Sequence, residues 1–233
     1  MSPAMAMQHR PMRMLEQGAD GAVVSDGWSG YAVTGTVDSV TGSWVVPTAT
    51  CVGTGVENTG ASFWVGIDGY TSATVEQTGT DSDCSNGFPS YYAWYEFFPA
   101  AGVTIASITV QPGDVMTASV VYDGAEFTAT ITDENSNETF SITQARSGAK
   151  RNSAEWIAED NSNLFTDFDQ VLFGQDEMGA APTCKASVDG KTTGIGGFSS
   201  YHAIFTAGSK KGSFSAVPSA LYPDGGSFSV QRD

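Results

Sequence analysis

The chain has 233 residues, of which 40% are hydrophobic and only 15% are charged. This length suits one large domain or two small ones, and the apolar share is enough for a substantial core. Acidic side chains number 26 against 10 basic ones, so the formal net charge is −16. Such a surface repels phosphates, so we expect neither nucleic acid nor an anionic membrane among its partners.

The N-terminal part of the chain differs from the rest. Met1–Asp20 contains five methionines but lacks the apolar core of a signal peptide. We interpret residues 1–22 as an extension, open to three readings: a pro-segment remnant, cloning residues or a mobile arm. Residues 23–233 are then a single domain. No apolar stretch approaches the ~20 residues that a transmembrane helix requires.

Beyond residue 22, Gly, Pro, Asn and Asp separate short runs rich in apolar and β-branched residues. These runs predict strands over Tyr31–Val37, Ser43–Val46, Ser62–Ile67, Thr74–Gln77, Tyr91–Phe98, Ile105–Val110, Val115–Tyr122, Phe127–Thr132, Phe140–Gln144, Ala154–Ala158, Gln170–Phe173, Tyr201–Phe205 and Ser227–Gln231. A short helix is predicted over Leu164–Asp169. More than ten strands with short connections favour an all-β fold of two packed antiparallel sheets.

The clearest local signal is a hairpin in the middle of the chain. Asp123-Gly124 stands between the β-rich run Val115–Tyr122 and the alternating run Phe127–Thr132. Asp-Gly suits a tight turn whose central residues need positive φ. Because strand side chains alternate, we expect the Phe127 face to be buried and the threonine face to be solvated.

The cysteines and histidines limit the possible chemistry. Cys51, Cys84 and Cys184 form no CxxC pair, which argues against a structural zinc site. A Cys51–Cys84 disulfide is one open possibility and leaves Cys184 unpaired. The only histidines are His9, in the extension, and His202, in a predicted strand. Ser-His-Asp and Cys-His catalysis therefore lack a convincing base, and a two-His metal site is out of reach.

Two predicted strands carry acidic and aromatic side chains on one face. Alternation puts Glu155 and Ile157 on one side of their strand and Trp156 on the other. In the strand Tyr91–Phe98, Trp94 and Glu96 share a face. Such faces suit a concave sheet surface that holds an extended polymer, although any single aromatic residue there is better explained as core.

Six short segments contain the candidate catalytic and cleft-lining side chains. They are Trp28-Ser29-Gly30-Tyr31, Thr41-Gly42-Ser43-Trp44-Val45-Val46-Pro47, Trp64-Val65-Gly66-Ile67-Asp68-Gly69, Glu76-Gln77-Thr78-Gly79-Thr80-Asp81, Ala93-Trp94-Tyr95-Glu96 and Ala154-Glu155-Trp156-Ile157. In this order and approximate spacing they resemble the glutamic peptidases (eqolisins), acid endopeptidases that use a Glu/Gln pair. The resemblance runs from about Asp26 to Asp169. Six matching segments in the same order are specific to the family, whereas any single one of them is not.

The resemblance implies a fold and a reaction. The fold is a sandwich of two large antiparallel sheets, of the concanavalin A-like lectin and glucanase type. The reaction is pepstatin-insensitive hydrolysis of a protein or peptide substrate at acidic pH by a secreted monomer, without metal or cofactor. Glu155 is then the general acid/base and Gln77 the group that stabilises the oxyanion. The positions that match the family's cleft tryptophans and its acidic residues are Trp28, Trp64, Asp68, Asp81 and Glu96.

The chain departs from the family pattern at a few positions. Gly27 stands where fungal members usually carry Asn, and Tyr92 where some carry Asp. Neither position belongs to the Glu/Gln pair. Residues 178–211, rich in Gly and Lys, are expected to form an insertion or a loop over the cleft.

Two alternatives remain open at this point. A sandwich with aromatic faces could bind glycans or proteins without catalysis. A glycosidase could use paired carboxyls drawn from Glu96, Glu155 and Glu159, which must lie ~5–5.5 or ~6.5–9.5 Å apart. Glu155 and Glu159 on one continuous strand would be ~13 Å apart, so another strand would have to supply the partner.

Overall fold

The computed structural model describes residues 9–18, 21–51, 58–162, 164–174 and 184–233. Within these ranges the chain forms eighteen strands and one short 3-10 turn, Ile195–Gly197. The strands are β1 (Met14–Gln17), β2 (Val23–Ser25), β3 (Trp28–Thr34), β4 (Val37–Val45), β5 (Ser62–Ile67), β6 (Val75–Ser85), β7 (Phe88–Phe98), β8 (Val103–Ile105), β9 (Val115–Tyr122), β10 (Phe127–Asp133), β11 (Glu138–Gln144), β12 (Ser153–Glu159), β13 (Gln170–Phe173), β14 (Lys185–Val188), β15 (Lys191–Gly194), β16 (Tyr201–Ala207), β17 (Phe214–Pro218) and β18 (Phe228–Arg232).

Strand pairing defines two large sheets. The first has the order β8-β7-β6-β5-β12-β3-β16, with every pair antiparallel. β2 then pairs with β16 in parallel, and β1 pairs with β2. The second sheet has the order β11-β10-β9-β4, and β4 continues to both β14 and β13. β17 pairs with β16 and β18, which joins the two sheets at one edge.

The core lies between the two sheets, because strand alternation sends every second side chain inward. Trp156 of β12 faces this core and donates a hydrogen bond from Nε1 to the Thr41 carbonyl of β4, 2.9 Å away. Trp44 of β4 donates from Nε1 to Thr80 Oγ1 of β6 at 2.8 Å. Buried tryptophan N–H groups are thus satisfied across the layers. The prediction of an all-β sandwich of two largely antiparallel sheets is confirmed.

The predicted hairpin is confirmed as β9 and β10, with buried and half-buried residues alternating along β10. Threonines on its outer face pair with the hydroxyl groups of β11 instead of standing free in solvent. The predicted strand Ile105–Val110 is wrong, because the strand ends at Ile105 and a turn follows. The predicted helix over Leu164–Asp169 is also wrong, since this stretch is extended and makes isolated bridges through Phe165 and Asp167.

Cys51 and Cys84 form a disulfide, with their Cα atoms 5.5 Å apart. This confirms the pairing that the sequence left open. The bond ties Cys51, in the connection between β4 and β5, to Cys84 near the end of β6. β6 is the strand that carries Gln77. Cys184 is buried as a free thiol.

The C-terminal third differs from expectation, and part of the N-terminal extension joins the first sheet. Residues 184–211 contain β14, β15 and β16, which belong to the two sheets, so a loop over the cleft is wrong for this part; residues 178–183 lie outside the described ranges. In the extension, β1 pairs with β2, while residues 1–8 and 19–20 lie outside the described ranges. No helix in the described ranges is long and apolar enough to cross a membrane.

Two glycines make room for the Trp64 side chain. A Cβ added to Gly79 would collide with the Phe63 carbonyl oxygen and lie 2.5 Å from the Trp64 Cβ. At Gly66 a Cβ would lie 2.9 Å from the Trp64 ring. The absence of side chains at these two positions therefore sets the position of the indole on the outer face of the first sheet.

We expect Gly79→Ala to lower the free energy of unfolding by ~1–3 kcal/mol, because backbone atoms of a central strand must move to admit the methyl group. Urea unfolding monitored by tryptophan fluorescence measures this. Gly196→Ala is the matched control, since the nearest atom to its Cβ would be the flexible tip of Leu221 at 3.2 Å, and backbone atoms of Gly225 would lie at an ordinary contact distance of 3.5 Å. Equal losses in the two variants would contradict the close packing at Gly79.

Candidate active site

The outer face of the first sheet carries two rows of polar side chains. Residues directly opposite on neighbouring strands share a face. One row runs through Glu155, Gly66, Gln77 and Glu96. A second row, two pairs further along, runs through Trp28, Glu159, Ser62, Asp81 and Tyr92. Trp64 and Trp94 lie in the row between them. The register of five strands therefore creates one continuous cleft surface.

Gln77 is buried and held by two acceptors. Its Nε2 donates to Glu96 Oε2 at 2.8 Å and to the carbonyl oxygen of His9 at 3.3 Å. The His9 carbonyl fixes the orientation of the amide, because a carbonyl oxygen can only accept and therefore faces Nε2 and not the amide oxygen. The second N–H of Gln77 is thereby directed at a peptide carbonyl from the N-terminal segment.

Glu159 lies on the other side of the same peptide group. Its Oε2 accepts from Trp64 Nε1 at 2.9 Å, and its Oε1 accepts from the backbone N–H of Arg10 at 3.3 Å. The Trp28 ring packs edge-on against Trp64, with centroids 4.7 Å apart. Gln77 and Glu159 thus contact the carbonyl and the N–H of the single peptide bond between His9 and Arg10.

The predicted catalytic residue Glu155 has different surroundings. It is fully buried, and its electrostatic neighbours are Asp68 and Glu76. Asp68 accepts backbone N–H groups from the segment Lys150–Asn152, which anchors the loop before β12. Glu155 therefore lies in the row that continues through Gly66 to Gln77 and Glu96, with Asp68 and Glu76 as its charged neighbours, whereas Gln77 and Glu159 contact the His9 carbonyl and the Arg10 N–H.

Asp81 and Asp83 share the hydroxyl group of Tyr92, which lies 2.8 Å from one oxygen of each. A hydroxyl carries one proton, so it can donate to only one of them, and the other must carry a proton and donate in return. Trp94 Nε1 donates to the remaining oxygen of Asp81 at 2.6 Å. This geometry favours at least one protonated carboxyl in the pair.

Burial raises the pKa of most acidic groups in the cleft. Desolvation is the largest cause throughout: it raises the pKa of Glu96 and Glu159 to about 8, of Asp81 to about 7 and of Asp83 to about 6. The negative charge of Glu159 further raises the pKa of Glu96, while the Trp64 hydrogen bond lowers that of Glu159. The pKa of Glu155 is also raised well above its usual value by burial. The cleft is therefore largely uncharged in acid.

The structure brings together five of the seven residues singled out from the sequence: Trp28, Trp64, Gln77, Asp81 and Glu96. Glu155 lies in the row of Gln77 and Glu96, with Asp68 as an electrostatic neighbour. The sequence suggested Glu159 only as one of the paired carboxyls of the glycosidase alternative and not as a member of the peptidase site, although it lies on the same face of β12 as Glu155. The signal that distinguishes them is strand pairing, which sets Glu159 opposite Trp28 and Glu155 opposite Ala32. Within the described ranges, no group of three or more His, Cys, Asp or Glu side chains is arranged to hold a metal ion.

The sequence profile of the Peptidase A4 family matches residues 26–211. The chain belongs to this family of peptidases, which confirms the resemblance to the glutamic peptidases.

Among known proteins, aspergillopepsin-2 of Aspergillus niger is 32% identical over 177 residues, which are 64% of this chain and 62% of that protein. Scytalidopepsin B of Scytalidium lignicola is 30% identical over 204 residues, which are 82% of this chain and 74% of that protein. The chain therefore spans about three-fifths of the length of the Aspergillus relative.

Solved structures show the same fold. The crystal structure of scytalido-glutamic peptidase with a transition state analog inhibitor matches 89% of this chain and 98% of its own, with a TM-score of 0.73 and 25% identity. Aspergilloglutamic peptidase from Aspergillus niger matches 75% of this chain and 99% of its own, with a TM-score of 0.60 and 28% identity.

The raised carboxyl pKa values predict how stability depends on pH. Burial raises the pKa of Glu76 from 4.5 to about 8. Below pH 4.5 the folded and unfolded chains both hold this proton; above it only the folded chain does. Stability therefore falls as pH rises from about 4.5 to 8, by about 1.4 kcal/mol per pH unit for each such group.

Urea unfolding between pH 4 and pH 8 tests this. We expect Glu76→Gln to reduce the pH slope by about 1.4 kcal/mol per unit, because the amide resembles the neutral carboxyl. Glu126→Gln, at an exposed position, is the control and should leave the slope unchanged. A wild-type protein that gains stability from pH 5 to pH 8 would contradict the assignment.

Proposed function

We propose that this protein is an endopeptidase active in acid, in which Glu159 is the general acid/base and Gln77 stabilises the oxyanion. The observation that carries the proposal is the peptide group held between the two side chains. The Gln77 amide donates to its carbonyl oxygen and the Glu159 carboxyl accepts its N–H. A substrate placed in the same way presents both reacting ends of a scissile bond to the pair.

The reaction follows from the roles that these contacts allow. Glu159 is neutral in acid, so it donates its proton to the peptide nitrogen, which lies within reach of Oε1, as water attacks the carbonyl carbon; the carboxylate that results takes the proton that the water loses. Negative charge develops on the carbonyl oxygen, where the Gln77 N–H stabilises it; one such donor is worth ~2.7–4 kcal/mol in other hydrolases. The carbon–nitrogen bond then breaks, the amine leaves with the proton it received, and Glu159 is neutral again. Neither step requires a metal or a cofactor.

Glu96 and Trp64 are positioning residues in this proposal. Glu96 takes one N–H of Gln77 and leaves the other for the substrate carbonyl. Trp64 donates to Glu159 Oε2, which leaves Oε1 facing the peptide nitrogen. Both carboxyls are buried, and the low local dielectric strengthens these hydrogen bonds.

Glu159 takes the place of Glu155 in the proposed mechanism because of their neighbours. Glu159 contacts a peptide group and Trp64, whereas Glu155 interacts with Asp68 and Glu76. We assign Glu155 a structural role as a buried neutral carboxyl.

The remaining parts of the proposal concern where and on what the enzyme acts. We propose a secreted monomer that cleaves protein or peptide substrates in extended conformation. The Cys51–Cys84 disulfide supports secretion, since such bonds persist in oxidising compartments. The excess of acidic over basic side chains supports a working pH well below neutrality.

The first test is hydrolysis of denatured globin at pH 3.5 with pepstatin present, which suppresses aspartic proteases. Loss of the general acid/base in Glu159→Gln is expected to lower kcat by ~10²–10⁴. Gln77→Ala is expected to cost ~10²–10³ in kcat through loss of the oxyanion donor. Glu155→Gln keeps the neutral shape of its side chain and should retain activity well above both. Full activity in Glu159→Gln with none in Glu155→Gln would restore Glu155 as the catalytic residue.

The pH profile is the second test. As pH rises, Asp83, Asp81 and then Glu96 and Glu159 lose protons at about 6, 7 and 8, and like charges accumulate in one buried cleft. We therefore expect kcat/KM to decline from about pH 5 to pH 8. Asp83→Asn removes the first of these charges and should move the decline to higher pH, as measured on an internally quenched peptide. An optimum near pH 8 would contradict the proposal.

A further inference from the structure

The N-terminal segment crosses the candidate active site and continues beyond the peptide group that Gln77 and Glu159 contact. With that peptide group in the place of a scissile bond, Arg10, Met12 and Arg13 stand in for the first, third and fourth residues after the cut. Arg10 and Arg13 are exposed, whereas Met12 is half-buried. The third position is therefore where the protein encloses the chain after the cut.

The backbone of this third residue is held by the protein. Met12 donates its N–H to the Gly69 carbonyl at 2.9 Å, and the Arg13 carbonyl accepts from the backbone N–H of Asp26 at 3.2 Å. Main-chain hydrogen bonds of this kind bind an extended peptide whatever its side chains are, except that proline has no N–H to donate. The site can therefore hold the backbone of a substrate at the same place.

The Gly69 carbonyl is an acceptor whose position is fixed by its loop. Asp68 accepts three backbone N–H groups from the segment Lys150–Asn152. The N–H of Gly69 donates to Ser72 Oγ at 2.8 Å. The φ angle of Gly69 is +106°, a conformation that glycine adopts without strain. The carbonyl thus needs no rearrangement to meet a substrate N–H.

An apolar surface lies beside this carbonyl. Met12 packs against a buried cluster that includes Trp28, Tyr70 and Val75. A Cβ added to Gly69 would lie 2.5 Å from a methyl group of Val75 and 2.9 Å from the Trp28 ring, so these two side chains pack directly against the loop. The side chain and the N–H of the third residue are therefore received by neighbouring parts of one structure.

Tyr70 contributes to this surface as an apolar ring. Only 5% of the residue is exposed, and its ring stacks on His202 with centroids 5.2 Å apart and planes at 18°. Its hydroxyl group is buried and has no hydrogen-bond partner among the described residues. The ring therefore acts through its packing and not through its hydroxyl group.

We propose that the cleft has an apolar subsite for the third residue after the cut, in which the Gly69 carbonyl accepts the substrate N–H and Tyr70 favours an apolar side chain. This inference deepens the proposed function and rests on it. An apolar side chain gains by leaving water at this place, whereas a polar one loses hydrogen bonds to water without finding partners. The subsite selects cleavage positions from residues that do not touch the reacting atoms.

The experiment uses the full chain at pH 3.5 and three internally quenched peptides that differ only at the third residue after the cut. That residue is leucine, asparagine or N-methylleucine, and mass spectrometry of the products confirms the position of the cut. Ratios of kcat/KM are compared, since the N-terminal segment competes equally with each peptide. We expect leucine to exceed asparagine about tenfold and N-methylleucine about fivefold, through lost apolar burial and a lost hydrogen bond respectively.

Two controls isolate the subsite. Exchange of leucine for asparagine at the fourth residue after the cut, in the place of the exposed Arg13, should change kcat/KM little. Among enzyme variants, Tyr70→Phe keeps the ring and should keep the preference for leucine over asparagine, while Tyr70→Ala should reduce it. The comparison with N-methylleucine uses the wild-type protein and does not depend on the folding of any variant.

The outcomes distinguish the subsite from the function on which it rests. Equal cleavage of all three peptides at the intended bond would overturn the subsite and leave the proposed function standing. An unchanged preference in a Tyr70→Ala protein that circular dichroism shows to be folded would overturn the role of Tyr70. A folded wild-type protein that cleaves none of the peptides would overturn both proposals together.

Discussion

The alternation of β12 between two faces is the constraint on which the site depends. One side of this strand sends Trp156 into the core, where its N–H is satisfied by the opposite sheet. The other side carries Glu155 and Glu159 into the cleft. Because β12 lies between β3 and β5, its register fixes where both carboxyls stand relative to Trp28 and Trp64. A slip of one residue would exchange the carboxyls and the indole, so the core itself keeps the cleft in register.

Desolvation is the second organising feature. Carboxyl groups buried without positive partners stay neutral rather than pay the cost of burying charge. In this cleft the groups that face them are indole N–H, amide and hydroxyl groups from Trp64, Gln77 and Tyr92. Such partners stabilise either protonation state and leave the carboxyls free to exchange a proton. The site thus resembles the whole chain in containing many carboxyl groups and few basic side chains.

The sequence was sufficient for the fold class, the central hairpin and most of the cleft, because these depend on period-two alternation and turn residues. It was insufficient for Glu159, because two glutamates on one face of a strand look alike until the neighbouring strands are known. The predicted strand Ile105–Val110 is wrong for a related reason. Ile108 and Val110 are buried although their segment is irregular, so the alternation of apolar residues there indicates burial and not strand hydrogen bonding. The path of the N-terminal segment over the cleft depends on tertiary contacts that no local pattern encodes.

The buried thiol of Cys184 can be used to measure how often the core of the protein opens. With Cys51 and Cys84 joined, it is the one thiol among the chain's three cysteines. It is wholly enclosed in the inter-sheet core, and burial raises its pKa to about 12. Reagents that modify thiolates can reach it only when the packing around it opens, since a closed core offers neither access nor ionisation. The rate of alkylation at this position therefore measures how often this part of the core opens, without any probe being added to the cleft.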